Sequence, residues 1–476
     1  MPGGSGQKAG TGQVWFYING HLASGGVSTT WHWGTAGVHL GTYTLKAALV
    51  TNGKVVATSA PVVVTLVSAS VPPTPVAPKA SCATPPVPST DLKAGTITLF
   101  CMGLPAGSEG SDLLPGPGGD LWFTMSAVAG GTGGIGQITP SGVITVFAKG
   151  LRPGGSPGGM IWLDGNLYFA ETFPNGATGA LGMVTPSGAI TMFSAGLPAG
   201  SQIGNLVAGP DGNLWFTDCV QNASLSPPCS PAIGRVTPSG SITLFTRGMP
   251  VYSWPNGLVV GPDGNLWFST TSNPMLGGSL AIGRITPTGV VTLFTKGLAA
   301  FNQLHGITVG PDANLWVSAN PENGGPGAIG RVTPAGNITW FDGGLPPTAL
   351  VSRVVSGPDR SVWFRVREPE PNGPNVRVAL GRITSSGAIT VYSKGLPTNS
   401  YLGNLVGGAD GNMWFTVLLP GKQGSQPGAI GRITPSGVIT LFTKGLAPVN
   451  QPQGLTVGPG GTLWFTVGTA IGRLIP

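Results

Sequence analysis

Residues 209–217 read G-P-D-G-N-L-W-F-T, and close variants of this stretch recur along the chain. The aromatic anchor falls at Trp122, Tyr168, Trp215, Trp267, Trp316, Trp363, Trp414 and Trp464, at intervals of 46 to 52 residues. A block repeating every 20–50 residues or so marks a solenoid, propeller or array. Around each anchor lie four short runs rich in β-branched and aromatic residues. In residues 257–295 they read G-L-V-V-G-P-D-G, N-L-W-F-S, A-I-G-R-I-T-P and G-V-V-T-L-F-T. P-D-G and P-S-G supply the tight turns, because Pro presets φ and Gly tolerates positive φ. Several runs are apolar on both alternating faces, which suits a sheet packed between two neighbours. Four strands per repeat at this period is the pattern of a β-propeller blade.

The spacings predict how the ring closes. From the Gly of I-G-R to the aromatic ending the fourth run is always 11 residues, and from there to the next anchor is 22, or once 21. The anchor-to-Gly distance, by contrast, runs from 8 to 19. Length variation is therefore confined to the connection between second and third strands. In a meander that connection shares one face with the blade-to-blade crossovers, and variable loops on a rigid scaffold are where binding usually lives. The last repeat stops at A-I-G-R-L-I-P, short of a fourth strand, while an orphan G-T-I-T-L-F stands at residues 95–100. The expectation is that 95–100 completes the final blade and removes a bare sheet edge. The fold class is thus all-β: an eight-bladed propeller of four-stranded blades, closed by an N-terminal strand, over residues 91–476.

Residues 1–67 differ. They alternate apolar and polar, as in V-W-F-Y-I-N-G and T-Y-T-L-K-A-A-L-V, with N-G hairpin signals at 19–20 and 52–53. W-G-T-A-G-V-H-L-G-T-Y-T-L resembles the second half of bacterial immunoglobulin-like modules. The expectation is a small, partial immunoglobulin-like β-sandwich. Residues 68–90 form a Pro-rich linker.

Charged residues make up 8% of the chain, against about 25% in typical soluble domains. The formal charge is +7. Eleven of the 23 cations occupy two fixed repeat positions, so they are spread around the repeat. A nucleic-acid footprint needs clustered charge, and none is expected. No apolar run of the ~18 residues a spanning helix needs is present, and no signal peptide opens the chain. Cys219 and Cys229 bracket one loop, and Cys82 and Cys101 flank the start of the repeats. Two disulfides in an exported, surface or secreted bacterial protein is the reading preferred over unpaired thiols. No Cys or His spacing points to zinc.

G-P-D-G-N-L-W-F-T followed by I-G-R-I-T-P-S-G-x-I-T-x-F resembles the repeat of the virginiamycin B lyase (streptogramin lyase) family over residues 95–476. The resemblance implies a propeller, seven-bladed in the family's lyases, and Mg²⁺-assisted elimination that opens cyclic depsipeptides. It also implies catalytic His and Glu side chains near the channel, in H-G-I and W-F-T-E contexts. At the first position this chain holds Ser111, Pro157, Gly204, Asn256, His305, Ser352, Gly403 and Gln453, so only His305 matches. At the second, only Glu171 and Asp218 are acidic. These three are the candidate catalytic residues. Glu171 and His305 stand three repeats apart, about 135° around an eight-bladed axis, whereas acid–base partners must reach one substrate atom.

Asp164, Asp211, Asp263, Asp312, Asp359 and Asp410 recur at one turn, where Asp caps its own backbone or, alternatively, forms a calcium ladder. The repeated Arg235, Arg284, Arg331, Arg382, Arg432 and Arg473 are expected to bond carbonyls or carboxylates between blades. His21, His32 and His39 lack metal spacing. Residues 365–377, R-V-R-E-P-E-P-N-G-P-N-V-R, are the most charged stretch and are read as a solvated loop or a partner site. The functional expectation is a monomeric, extracellular, non-catalytic binding module with no confident cofactor. Its variable-loop face would recognise a protein, peptide or glycan. The alternatives are a lyase of altered substrate, with Mg²⁺ by resemblance only, and a structural or adhesive surface protein.

Overall fold

The protein is described from a computed structural model covering residues 13–19, 21–26, 41–51, 54–66, 94–126, 133–173, 177–221, 229–250, 252–272, 278–321, 325–370, 373–421, 426–447 and 450–476. It forms two compact units, Met1–Val76 and Ala77–Pro476. The Pro-rich stretch, the 52–53 turn, His32 and His39 lie outside the described residues.

In the first unit, Gln13–Ile18, His21–Gly26, Gly41–Thr51, Lys54–Thr58 and Val62–Leu66 form one antiparallel sheet. The long strand Gly41–Thr51 pairs with Gln13–Ile18 on one edge. Its other edge takes Lys54–Thr58 and then Val62–Leu66 end to end. Pro61 sits at the break between them, where a residue without N–H cannot continue a ladder. The N-G signal at 19–20 is matched by Asn19 at φ 48°, whose Oδ1 accepts a bond from the Thr44 amide at 2.8 Å. One layer of the expected sandwich is therefore described.

The second unit is a β-propeller of four-stranded antiparallel sheets, and no α-helix occurs among the described residues. Around Trp215 the strands run Ile203–Ala208, Leu214–Gln221, Cys229–Val236 and Ile242–Phe245, in sequence order. The same order repeats at every anchor; the Trp267 and Trp316 sheets are also joined by a single pair, Thr271 with Gln303. The first strands touch one another in a closed circuit, with Pro452–Val457 returning to Glu109–Pro115. Closure follows the sequence expectation: Ile97–Phe100 pairs with Ala470–Leu474 as the missing fourth strand.

The repeat residues explain the packing. Each second strand is buried, as in Leu214, Trp215 and Phe216 at 0% exposure, because both faces of its sheet meet a neighbouring sheet. The anchor indole stacks on the aromatic that ends the fourth strand, for example Trp215 on Phe245 with centroids 5.4 Å apart. Its Nε1–H donates to the turn aspartate, as in Trp215 to Asp211 Oδ1 at 2.9 Å. The same bond recurs at Asp263, Asp312, Asp359 and Asp410. Burial alone would raise the Asp263 carboxyl, but bonds from Asn265 and Trp267 hold it below the usual range. These five aspartates therefore cap turns, while Asp164, at φ 49° in the shorter turn before Tyr168, makes no side-chain bond of this kind among the described residues. Four of the six repeated arginines bridge sheets: Arg235, Arg284, Arg331 and Arg473 each donate to a turn carbonyl of the following repeat, Pro287, Pro334, Ser385 and Pro140, whereas Arg382 bonds Asp359 of its own repeat.

Residues 365–377 are not a long loop. Val362–Pro369 and Val376–Ile383 are paired strands, and only six residues connect them. Alternating charges on the outer hairpin faced solvent and masked a strand pattern that Glu368 and Arg377, paired at 3.9 Å, complete across the ladder.

Candidate functional site

Every first strand carries a β-bulge where it lines the axis, such as between Gly110 and Leu113 or between Ser352 and Val355. A bulge inserts one residue, leaves an amide unpaired and re-aims side chains. The hydroxyl after W-F satisfies that amide in several repeats. Thr124 accepts from Asp112 N, Thr217 from Asn205 N, Thr416 from Asn404 N and Thr466 from Gly454 N, at 2.8–3.1 Å. Thr in W-F-T is thus a bulge support, a role its spacing did not reveal.

The register also corrects one assignment. His305 lies opposite Ser318, with Ile307 opposite Val317 after the bulge. In the Tyr168 sheet Gly158 lies opposite Ala170, with Met160 opposite Phe169. Gly158, not Pro157, therefore occupies the position of His305. The Tyr168 repeat has a turn one residue shorter, L-D-G-N in place of G-P-D-G-N, and counting back from the anchor missed the slip.

Glu171 is fully buried. Arg152 donates to it from its backbone N at 3.3 Å and from Nε at 3.2 Å, and stacks its guanidinium 4.1 Å from the Phe173 ring. Burial raises the Glu171 carboxyl, against the opposing pull of Arg152. Asp218 is 1% exposed. Neither of its oxygens completes a hydrogen bond among the described residues. Burial pushes its carboxyl up, offset in part by the nearby Ser201 hydroxyl and the Gln202 and Cys219 amides. His305 is half-buried, with Nε2 3.0 Å from Gln303 Oε1. Burial and then the positive Arg365 lower its pKa, so the imidazole stays neutral. The three candidates share no contact.

The implied Mg²⁺ does not fit these residues. A divalent ion needs several oxygen ligands on one centre, but Glu171 is engaged by Arg152, Asp218 is sealed in the core and His305 faces a cation. Among the described residues no three His, Cys, Asp or Glu side chains gather.

Asp218 yields a stability prediction. A carboxyl with a raised folded pKa contributes stability below its unfolded pKa, and that contribution is lost as pH rises through the folded pKa. Asp218→Asn is therefore expected to stabilise the protein at pH 7, because the amide occupies the same buried site without a charge to desolvate. The gain should vanish near pH 3.5, below an ordinary carboxylate pKa of about 3.9. Urea midpoints at the two pH values check this; equal gains at both would refute it.

The axis itself is lined differently. Two adjoining cavities of ≈ 420 and ≈ 290 Å³ share Asp112, Arg353, Asn404 and Gly454. The larger reaches the ends of the second strands at Val417 and Leu418, on the variable-loop side, and is walled by Arg365, Tyr401 and Gln453. Arg365 replaces the bulge-supporting hydroxyl, and its Nη1 donates to the carbonyls of Leu402 at 2.6 Å and Gly403 at 3.2 Å. Sequence reasoning missed Arg353, and it took Arg365 only as the start of the charged 365–377 stretch. The available signal was that Arg365 departs from W-F-T and Arg353 from the Gly or Asn of most repeats. The variable connections lie mostly outside the described residues. Neither Cys101 nor Cys219 is a free thiol; Cys82 and the side chain of Cys229 lie outside the described residues. No described helix is long and apolar enough to cross a membrane.

The sequence model of the virginiamycin B lyase family matches residues 92–295 and 277–473, most of the chain. No curated protein matches. Among solved structures, a puromycin hydrolase mutant complexed with PGG is similar at 14% identity and a TM-score of 0.49, over 75% of this chain and 58% of that one. A Mycobacterium tuberculosis puromycin-hydrolyzing peptidase follows at 13% and 0.46, over 81% and 60%. This chain thus spans less than two thirds of either. An oligogalacturonate lyase in complex with manganese is similar at 11% and 0.46, over 78% and 99%.

Proposed function

Because the chain belongs to the virginiamycin B lyase family, we propose that it keeps the family's ring, as eight blades, and binds a ligand in the axial channel without the family's elimination chemistry. The observation that carries this reading is the burial of both acids at the catalytic position. Glu171 is neutralised by Arg152 and Asp218 has no outlet to the channel. General acid–base catalysis needs a titrating group within reach of the transferred proton. The axial cavity is concave and polar-lined, and its ≈ 420 Å³ falls in the ≈ 300–1,000 Å³ range of ligand sites. The partner is an extracellular peptide, protein or glycan. Oxidised cysteines support export.

The test is turnover with cyclic depsipeptides and other ester or glycosidic substrates, with and without Mg²⁺ or Mn²⁺. The expected result is no metal-dependent product, alongside retained binding on a glycan and peptide array. Metal-dependent turnover abolished in His305→Ala would establish the lyase reading instead. No binding and no turnover would leave the structural, adhesive role. Recovery of the native protein only from the cytoplasm would overturn the export component.

A further inference from the structure

We infer that the variable-loop mouth of the axial channel is a site for an acidic saccharide, whose carboxylate lies between Arg353 and Arg365 and whose ring rests on Tyr401. This inference rests on the channel-binding reading and names its ligand class.

Both arginines break the repeat where it faces the axis. Arg353 sits at φ 52°, and the other left-handed bulge residues are glycines, Gly159 and Gly306. A non-glycine side chain held there is strained, and such strain concentrates at ligand sites. Arg365 occupies the position at which other repeats place Thr124, Thr217, Thr416 and Thr466. Arg365 takes over part of the hydroxyl's structural role through its bonds to Leu402 and Gly403, whereas Arg353 replaces the Gly, Asn or Asp of the other repeats and makes no such bond.

Part of this donor set is unspent, while the Arg365 Nη1 is held by the carbonyls of Leu402 and Gly403. Arg353 makes no side-chain hydrogen bond and no ion pair among the described residues, and it lines both axial cavities. The Arg365 Nε is buried with no partner there. Its neighbour Arg353 has its pKa lowered by burial and by the Arg365 charge, while Asp112 and Tyr401 oppose this. Two converging guanidinium groups are a site short of an anion. Planar forks of this kind match carboxylates in bidentate geometry. Asp112, the acid on the wall, is engaged by the Gly159 amide at 2.5 Å.

The rest of the wall suits a sugar. Tyr401 is 60% exposed, with Arg365 6.0 Å from its ring centre. An exposed aromatic face with an apolar body and polar tip suits stacking against a saccharide ring. Ser111, Asn404 and Gln453 supply hydroxyl and amide groups that both donate and accept.

Calorimetric titration of the full chain with trigalacturonate, its methyl ester and inorganic phosphate tests the inference. The acid is expected to bind, and the ester at least about tenfold more weakly, since charge-assisted bonds are the strong ones. Arg365→Thr and Arg353→Gly each restore a residue found in other repeats, so both should fold, with urea midpoints as the check. Each should weaken the acid at least about tenfold and flatten its salt dependence. Phosphate binding as tightly as the saccharide would show a general anion site and overturn the saccharide claim. Equal binding of acid and ester, unchanged in both variants, would overturn the arginine site while keeping the channel reading. No binding of any probe would overturn the inference, and the array then decides the broader reading separately.

Discussion

Phe100→Ala is expected to destabilise the propeller by about 3–5 kcal/mol, the range for emptying a buried Phe site, and by more than Phe245→Ala. Phe100 is 1% exposed and stacks on Trp464 with centroids 5.6 Å apart. Phe245 makes the equivalent stack on Trp215 but is only half-buried. Phe100 also packs with Leu113, Leu121 and Phe123 of the first repeat, so one ring joins the two ends of the circuit. Arg473, 1% exposed, lies 5.2 Å from the Phe100 ring and donates to Pro140 O. Removing the ring takes away the stacking partner of that buried cation and the packing that holds the closing strand. The other repeats hold their fourth strand through a short turn, whereas this strand is held by packing and ladder bonds alone. Urea unfolding followed by tryptophan fluorescence checks the ranking. A Phe100→Ala cost no larger than that of Phe245→Ala would sink the closure argument.

Gly234→Ala is expected to cost at least about 3 kcal/mol, at the upper end of overpacking penalties. A Cβ on Gly234 would fall on the Phe216 ring, and all three of its nearest atoms are ring carbons. That ring is fully buried on a paired central strand and cannot swing aside. The double mutant Gly234→Ala with Phe216→Leu should recover part of the loss, a non-additivity that a mutant cycle reads directly. A single-mutant cost below about 1 kcal/mol, or strict additivity, would contradict it. The Trp316 repeat supports the pairing: Val317 stands where the Phe would be, and the Trp340 ring covers Gly330 in its place. Two departures from the repeat, on the second and fourth strands, thus compensate each other on either side of the third.

Much of this architecture was legible in the chain. The anchors at 46- to 52-residue intervals, the constant Gly-to-aromatic spacing and the orphan strand at 95–100 anticipated the sheets and their closure. Legibility failed where residue counting met a slip or a second layer of packing. Pro157 was aligned with His305 because the shorter turn before Tyr168 could not be seen without the register. Residues 365–377 read as a loop because charge on a solvent-facing hairpin hides alternation. The arginines of the channel were visible only as exceptions, since nothing in a linear repeat says which side chains converge on the axis.

The repeat by itself determined the blade, because burying two faces of a sheet demands the same apolar residues in each copy. It also determined the closing strand, because an unpaired edge at one end of the chain matches a surplus strand at the other. The tertiary structure alone decided which polar residues face one another. Glu171 turns into the core onto Arg152, and Arg353 and Arg365, 12 positions apart in sequence, line the mouth of the channel together with Asp112, Tyr401 and Gln453 of other repeats. Period and spacing constrain the backbone, whereas convergence around an axis depends on bulges and registers that bring separate repeats into contact.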